Sequence, residues 1–493
     1  MLMASAADPN ENVKFIDTLL RLGLSYQFEN DIENQLESIF NSHQNYLNDL
    51  DLSSTSIVFR VFRQYGFKMS CNVFEKFKDA DGKLKGTLID DVRGMQTIEQ
   101  MPPRLAARTY ISFYEEEDSR DETLLKFAKL DFNRVQVLHK QEINQITRFW
   151  DKNNFSSELS YARERYVEAY TWINALFDET RYTKWRIIVS KILQPISLLD
   201  DTFDAYGTPQ EIQRLIDTLK RWDTGALDDL QDYTKVICKA VLAVFDEIAE
   251  EASKDGRSYG VPYAKDSLRL IINSSHFPHH SCFKRIVDIL IQANRELSSA
   301  RLTRAHEKSL LLDSLIQLAN YYHAEVKWNY DGYVPTFEED MSVAMKTSTF
   351  DVLMTIAFIG MGEMAGIEAF EWLRKEPKIM SAVNFIGRLM DDIVSHKFEQ
   401  LREHAPSGIE CYMKQHSLSE EETLGDFKKL LEDAWKDVNE ERMRPTAVPR
   451  NLLIRHLNFA RVSYLFYKHG DGFTNPEYVE DDIPAMFLDP ISI

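Results

Sequence analysis

Residues 192–204, Ile-Leu-Gln-Pro-Ile-Ser-Leu-Leu-Asp-Asp-Thr-Phe-Asp, indicate what kind of fold this chain adopts. An apolar run is followed directly by a DDxxD motif, so its carboxylates are expected at the end of a buried helix. On that helix Asp200 and Asp204 share a face, whereas Asp201 points about a quarter-turn away. Clustered carboxylates on an apolar helix are costly without cations. The stretch therefore predicts a helix whose end binds divalent metal.

A second acidic box lies 191 positions after the first and carries a different set of oxygen atoms. Asp391, Ser395 and Glu399 stand four residues apart, drift only about 40° per step and form one stripe on a helix. Mg²⁺ prefers oxygen ligands and is usually bound by one or two carboxylates together with substrate phosphates. Two such faces can hold Mg²⁺ ions that neutralise a diphosphate and make it a better leaving group. The two boxes together predict that the protein ionises a prenyl diphosphate.

A DDxxD run by itself is weak support for a metal site. The run Asp228-Asp229-Leu230-Gln231-Asp232 matches the same pattern. That copy follows Gly225 in a predicted loop, so we expect a solvated turn there. The first box differs because a buried apolar helix precedes it and because a second box accompanies it.

The composition predicts an all-α protein with a large core. Gly 18 and Pro 15 are few in 493 residues, well below the roughly 12% that these two residue types contribute on average. Apolar residues make up 44% of the chain and aromatic residues 12%. No run alternates apolar and polar residues over a useful strand length, so α-helices are the only regular elements expected. A turn-rich stretch is expected around Met101-Pro102-Pro103, with helical periodicity resuming at Glu122.

Charge, cysteines and hydropathy argue against several classes of protein. With a net charge of −20 the chain has no basic stripe that could bind nucleic acid. The four cysteines are dispersed, which is typical of reduced thiols in an intracellular compartment. No membrane span is expected, because no 18-residue apolar run is present. The N-terminus has neither a signal core nor a transit-peptide composition, so the cytoplasm is the expected location.

Further motifs occur in the order found in one known family. They are Leu130-Asp131-Phe132-Asn133, Tyr161-Ala162-Arg163-Glu164-Arg165, Tyr333-Val334-Pro335-Thr336-Phe337-Glu338-Glu339, Gly387-Arg388 and His469-Gly470-Asp471-Gly472. With these motifs and the two boxes, the chain resembles the plant terpene synthases, specifically the cytosolic sesquiterpene cyclases of class I. The resemblance covers nearly all of 122–493 outside the stretch 269–315. It implies a class I α-helical bundle at 123–493, preceded by a truncated N-terminal helical domain at 1–122, in a protein expected to be a monomer.

The resemblance implies which residues hold the metal and the diphosphate. Three Mg²⁺ ions are expected, with Mn²⁺ as an alternative, and their ligands would be Asp200, Asp201, Asp204, Asp391, Ser395 and Glu399, among which Asp201 is the weakest match. The residues that resemble the family's diphosphate-holding arginines are Arg163, Arg165 and Arg388. The chemistry agrees, because a guanidinium fork matches phosphate oxygens and stays charged.

The resemblance also implies an aromatic pocket for the carbocation. Trp172 lies seven residues after Arg165, on the same helical face, and resembles the family's pocket tryptophan. Tyr467, Asp471 and Phe473 resemble the C-terminal trio that lines the pocket. Many relatives have Tyr where Phe473 stands, so the aromatic face is kept and the hydroxyl is lost. Aromatic faces stabilise a nearby cation by about 0.5–2 kcal/mol each.

Three features depart from the family pattern. Relatives carry a tandem-arginine arm near the N-terminus, whereas here there is no Arg-Arg pair and the first tryptophan is Trp150. Gln96 follows Met95 directly, where a further helical block of the N-terminal domain is expected. The stretch 269–315 carries a local excess of basic residues and looks inserted, since its removal would leave 144 positions between the boxes, close to the family's spacing.

These departures leave alternatives open. The chain could be an inactive or impaired synthase-like splice form if the stretch 269–315 displaces a core helix. It could also be a monoterpene synthase that uses geranyl diphosphate. A chain-elongating prenyltransferase would carry a second DDxxD, but the sequence has Ser395 and Glu399 in its second box instead.

Overall fold

The structure is a computed structural model that describes most of the chain. The residues it describes are 8–42, 49–79, 81, 101–202, 211, 214–215, 217–219, 224–254, 256–266, 334–347, 349–399 and 407–493. For Asp200 and Glu399 the backbone alone is described. Asp204 and the stretch 269–315 lie outside the described residues.

Within these ranges every long element is an α-helix and no β-strand is present, which confirms the all-α prediction. The N-terminal part contains α1 (Pro9–Arg21), α2 (Glu29–Ser42), α3 (Leu52–Gln64) and α4 (Pro103–Glu116). The apolar faces of α1 to α3 meet in a small core of their own, in which Ile16, Leu36 and Phe62 are buried.

Helix α4 was not expected from the sequence. The prolines Pro102 and Pro103 predict a turn, with helix resuming only near Glu122, and this prediction is wrong because α4 begins at Pro103. A proline fits the first turn of a helix, since the N–H that it lacks has no partner there. Arg104 is buried in that turn, 4.1 Å from the centroid of the Phe132 ring, and donates to the carbonyl oxygen of Phe132 at 3.0 Å.

The first half of the larger bundle positions the first acidic box. It contains α5 (Glu122–Lys152), α6 (Phe155–Glu158), α7 (Tyr166–Leu176), α8 (Thr183–Asp201) and α9 (Asp232–Lys254). α8 packs against α5, α7 and α9, and the apolar residues before the box, such as Ile196 and Leu198, are buried. Asp200 and Asp201, the first two residues of the box, therefore stand at the end of a buried helix, as predicted. The second DDxxD copy is confirmed as a solvated turn, because Asp228 lies in a short 3-10 segment with its side chain 90% exposed.

The second half of the bundle carries the second acidic box on α13. It contains α10 (Phe337–Thr347), α11 (Phe350–Gly360), α12 (Ile367–Arg374), α13 (Lys378–Glu399), α14 (Gly408–His416), α15 (Glu420–Glu441), α16 (Arg450–Tyr467) and α17 (Asp482–Phe487). α13 packs against α15 and α16, α16 packs against α7, and α7 packs against α8. This series of contacts links the two helices that bear the boxes.

One stretch, Phe337–Gly360, is long and apolar enough to cross a membrane by length and composition alone, with a mean hydropathy of 1.3. It consists of α10 and α11, each of 11 residues, and the backbone turns between them at Thr349, where φ is 63°. Helices of that length are more typical of a protein core than of a membrane span. Because 73% of the apolar window is buried inside the protein, the stretch provides no clear span.

The turn after α3 docks the N-terminal helices onto the bundle. The backbone amide of Arg444 donates to the carbonyl oxygen of Gly66 at 2.7 Å, and the Arg444 side chain donates to that of Tyr65 at 3.2 Å. Gly66 has a φ of +81°, and a Cβ there would lie 2.5 Å from the carbonyl oxygen of Arg442. Only glycine therefore allows this close approach.

Candidate active site

The loop 161–165 lies against the end of α8. Arg165 Nη1 donates to Asp201 Oδ2 at 2.6 Å, and the hydroxyl oxygens of Tyr161 and Thr202 lie 2.6 Å apart. The Arg165 side chain is only 12% exposed, so this ion pair is shielded from water. Asp201, which helical spacing turns away from Asp200, therefore faces the arginine loop.

The second arginine of the loop reaches the C-terminal part of the chain. Arg163 Nη1 donates to the carbonyl oxygen of Phe473 at 3.1 Å, and Arg163 Nη2 pairs with Glu168 Oε1. Burial lowers the pKa of the Arg163 guanidinium and raises the pKa of the Glu168 carboxyl group, while the attraction between the two charges opposes both shifts. The arginine loop is thus tied to the segment after α16.

The segment after α16 is shaped by Asp471. Its Oδ1 accepts hydrogen bonds from the backbone amides of Phe473 at 3.1 Å and Thr474 at 3.0 Å. This is an Asx-type turn, in which a short acidic side chain fixes the backbone that follows it. It directs the Phe473 ring toward Arg165, whose guanidinium carbon lies 5.7 Å from the ring centroid.

Trp172 is the centre of an aromatic cluster beside this loop. Its indole ring stacks on Phe466, with 5.2 Å between the centroids and 3° between the planes. Four more rings lie 5.4 to 6.3 Å away, namely Phe350, Phe459, Tyr467 and Phe473. The structure therefore brings together the three aromatic residues that the sequence nominates for the pocket, Trp172, Tyr467 and Phe473.

Sequence reasoning missed the other members of this cluster. Phe459 and Phe466 are seven residues apart on α16, and this helical spacing could have indicated a shared face. No motif or helical spacing in the sequence links Phe350 to Trp172, because only tertiary packing brings α11 beside this tryptophan. Its place depends on Gly387, where a Cβ would lie 2.6 Å from Phe350 Cζ.

The second acidic box is arranged around Arg388. Arg388 Nε donates to Asp392 Oδ1 at 2.8 Å, its Nη2 also pairs with Asp392, and its Nη1 lies 3.5 Å from Asp391 Oδ2. Asp392 is fully buried and was not nominated from the sequence. Asp392 therefore holds the Arg388 guanidinium beside the box, within 3.5 Å of the Asp391 carboxylate.

The side chains described at the two boxes fit hard divalent cations. Ser395 Oγ is buried and has no hydrogen-bond partner in the described part of the chain, as expected of an oxygen kept for another ligand. Asp201 and Asp391 supply carboxylates that are 24% and 27% exposed. Among the described residues no group of three His, Cys, Asp or Glu side chains could hold an ion. Asp200, Asp204 and Glu399 would have to complete the ligand set.

α7, which carries the pocket tryptophan, is held at its C-terminal end by two buried arginines. Arg186 donates to both carboxylate oxygens of Glu142, at 2.7 and 2.8 Å, and to the carbonyl oxygen of Phe177 at 2.7 Å. Arg455 donates to the Glu179 carboxylate at 2.6 and 2.8 Å and to a carbonyl in the last turn of α7. The last carbonyls of a helix have no intrahelical partner, so these bonds fix its end.

Two family models match the chain. The terpene synthase N-terminal domain matches residues 1–98, and the metal binding domain of the terpene synthase family matches residues 151–277 and 274–437. The metal binding match contains both acidic boxes. Its two ranges meet at 274–277, inside the stretch 269–315.

Named relatives are plant sesquiterpene synthases. A valerianol synthase of Camellia hiemalis is 36% identical in an alignment 542 positions long, which covers 100% of this chain and 89% of the relative. A valencene synthase of Vitis vinifera is 37% identical, covering 99% of this chain and 88% of the relative.

Solved structures share the fold of this chain. The isoprene synthase of grey poplar (Populus x canescens), in complex with three Mg²⁺ ions and dimethylallyl-S-thiolodiphosphate, superposes with a TM-score of 0.81 at 24% identity, covering 100% of this chain and 94% of that one. A limonene synthase gives a TM-score of 0.81 at 23% identity, covering 99% and 91%. Together with the family models and the relatives, these matches show that the chain belongs to the terpene synthase family, as a metal-binding lyase that acts on prenyl diphosphates.

Proposed function

We propose that this protein is a sesquiterpene synthase that ionises farnesyl diphosphate, releases diphosphate and lets the carbocation cyclise or lose a proton. The single observation that carries the proposal is the six-ring aromatic cluster around Trp172, which touches the arginine loop through Phe473. The choice of the farnesyl substrate is supported by the relatives, which are named valerianol, hedycaryol and valencene synthases.

Ionisation would begin at the two acidic boxes. The residues that would hold three Mg²⁺ ions are Asp200, Asp204, Asp391, Ser395 and Glu399, with Asp201 in a lesser role. When bound, the metal supplies Lewis-acid stabilisation of the diphosphate as it leaves. Asp201 is a secondary ligand in this proposal, because its carboxylate is already neutralised by Arg165 at 2.6 Å.

The arginines would hold the diphosphate after the carbon–oxygen bond breaks. Arg163 and Arg165 approach from the loop before α7, and Arg388 approaches from α13, beside the second box. Each is held by a carboxylate in this structure: Arg163 by Glu168, Arg165 by Asp201 and Arg388 by Asp392. These carboxylates would orient the guanidinium groups and keep the net charge of the site low before the substrate binds.

The carbocation would then be shielded by aromatic faces. Trp172 and Phe466 are nearly fully buried, and aromatic faces stabilise a desolvated cation by about 2 kcal/mol. Phe473 offers a ring without a hydroxyl group, so it cannot donate a proton or capture the cation through oxygen. The outcome would be a hydrocarbon or alcohol released together with diphosphate.

The first experiment is an assay of purified protein with farnesyl diphosphate and Mg²⁺, with products identified by gas chromatography. We expect sesquiterpene products that disappear in the Asp200→Ala variant. A product level no higher than that of this variant would reject the proposal. Parallel reactions with geranyl diphosphate and with Mn²⁺ address the monoterpene alternative and the choice of metal.

The stretch 269–315 supplies the matching test of the impaired-form alternative. If the site works as proposed, deletion of 269–315 should leave the product pattern unchanged. Activity that arises only after the deletion would favour the impaired form instead. Size-exclusion chromatography of the same protein preparations checks the prediction of a monomer. The cytoplasmic location stays a prediction.

A further inference from the structure

A small cavity of about 10 Å³ lies beneath the arginine loop, between α5, α7 and α8. Its lining consists of Trp150, Arg163, Arg165, Ala169, Gln194, Ser197 and Leu198. Gln194, Leu198 and Asp201 stand at i, i+4 and i+7 on α8 and share a face of the helix. Gln194 therefore lies two helical turns before Asp201, the partner of Arg165, and Arg165 itself lines the cavity.

Gln194 is the unexplained residue of this cavity. Its side chain is 2% exposed, and neither its amide oxygen nor its amide nitrogen has a hydrogen-bond partner within the described ranges. An amide buried in this way is costly, because it loses its bonds to water without gaining others. Such an exception in a well-packed core calls for an explanation by function.

The same cavity contains a matching unpaired donor. Arg165 binds Asp201 through Nη1, yet its Nε–H is buried and finds no acceptor among the residues described. Gln194, with an unpaired amide oxygen, and Arg165, with an unpaired Nε–H, thus line one small space in the described part of the chain. Of the two polar residues that α8 contributes to the lining, Gln194 has the longer side chain and Ser197 the shorter one.

We propose that Gln194 is a positioning residue for Arg165. In the substrate-bound enzyme its amide oxygen accepts the Arg165 Nε–H across this cavity, so that the two terminal nitrogens of the guanidinium are directed at the diphosphate. A bond at Nε fixes the plane of the guanidinium fork, and a fixed fork loses less freedom when it binds phosphate oxygens. This inference rests on the proposed function, because it presupposes that Arg165 binds the diphosphate.

The test measures inhibition of farnesyl diphosphate turnover by inorganic diphosphate in the presence of Mg²⁺. Gln194→Leu removes both hydrogen-bonding atoms at nearly constant volume. We expect it to raise the inhibition constant about tenfold, which corresponds to about 1.4 kcal/mol. Its thermal midpoint should stay the same or rise, because an unpaired buried amide has been removed. A purely structural role would instead lower the midpoint.

Arg165→Lys completes a double-mutant cycle, since lysine keeps the positive charge but has no N–H at the Nε position. Gln194→Leu should change the inhibition constant less than twofold in the Arg165→Lys background. Ser190→Ala is the matched control. Ser190 lies one turn earlier on α8, is fully buried and also has an unpaired hydroxyl in the described structure, but it does not line the cavity. Its inhibition constant should equal that of the wild type.

Each other outcome overturns the inference. An unchanged constant in Gln194→Leu would show that the amide does not act on the diphosphate site. Equal effects of Gln194→Leu in both backgrounds would show that it acts without Arg165, for example by touching the diphosphate directly. Wild-type protein that does not turn over farnesyl diphosphate would instead reject the proposed function, so the two failures are distinguishable.

Discussion

Replacing Trp172 by leucine separates the stability of the bundle from the stabilisation of a carbocation. The chain offers a matched control in Trp185, which is a residue of the same type, also 5% exposed, near the start of α8. Trp172 lies among five aromatic rings, whereas Trp185 packs against Gly360 and lies beneath the Arg257 guanidinium. Both changes remove a similar buried volume, but only one removes a face of the aromatic cluster.

The expected magnitudes follow from these surroundings. Each Trp→Leu change should lower the free energy of unfolding by about 2–4 kcal/mol, because large-to-small substitution in a core leaves a cavity. Loss of the indole face at position 172 should in addition raise the activation barrier to ionisation by roughly 1–2 kcal/mol. That figure corresponds to a decrease of about 5- to 30-fold in kcat. Trp172→Phe keeps an aromatic face and should lose much less.

The assay is steady-state turnover of farnesyl diphosphate with product identification, read beside thermal melting curves of all three variants. Trp172→Leu should also yield a larger share of early products, formed by deprotonation or water capture before cyclisation is complete. The reasoning is refuted if Trp172→Leu and Trp185→Leu lower kcat equally. It is equally refuted if the product pattern of Trp172→Leu matches that of the wild type.

Two further predictions concern the C-terminal loop and the core. Asp471→Ala removes the acceptor of the Phe473 and Thr474 amides and should lower kcat about tenfold. Asp471→Asn keeps an acceptor oxygen, so its kcat should stay within about threefold of the wild-type value. Equal losses in the two variants would contradict the role of the turn. Burial lowers the pKa of His456 to about 4, below its unfolded value of about 6.5, so the folded state binds fewer protons and loses stability as the pH falls from about 6.5 to 4. His456→Phe should abolish this effect, which amounts to about 2 kcal/mol of the free energy of unfolding at pH 5. Melting temperatures that depend on pH equally in the variant and the wild type would refute this.

Much of the fold could be predicted because its signals are local. A shortage of helix breakers and the absence of strand periodicity depend on neighbouring residues only, and they led to the all-α class. The buried helix before Asp200 was predicted for the same reason. Helix α4 was missed because Pro102 and Pro103 indicate a turn as readily as a helix start, and only the packing of Arg104 on Phe132 decides between the two.

The candidate site divides in the same way. Asp201, Arg165, Trp172 and Phe473 could be nominated one by one, because each stands in a short motif. Their partners could not be nominated. The Arg165–Asp201 pair joins residues 36 positions apart, and the Arg163–Phe473 bond joins residues 310 positions apart. No local pattern encodes such distances.

The amino-acid sequence alone determined which atoms can take part in the chemistry: the oxygens of two acidic boxes, three guanidinium groups and a set of aromatic rings. These follow from residue type and helical spacing, which the chain carries without folding. Tertiary structure alone decided which rings surround Trp172, which carboxylate holds each arginine and that Gln194 finds no hydrogen-bond partner among the described residues. Such choices depend on how distant helices pack, since side chains far apart in sequence meet only when the bundle closes around one core.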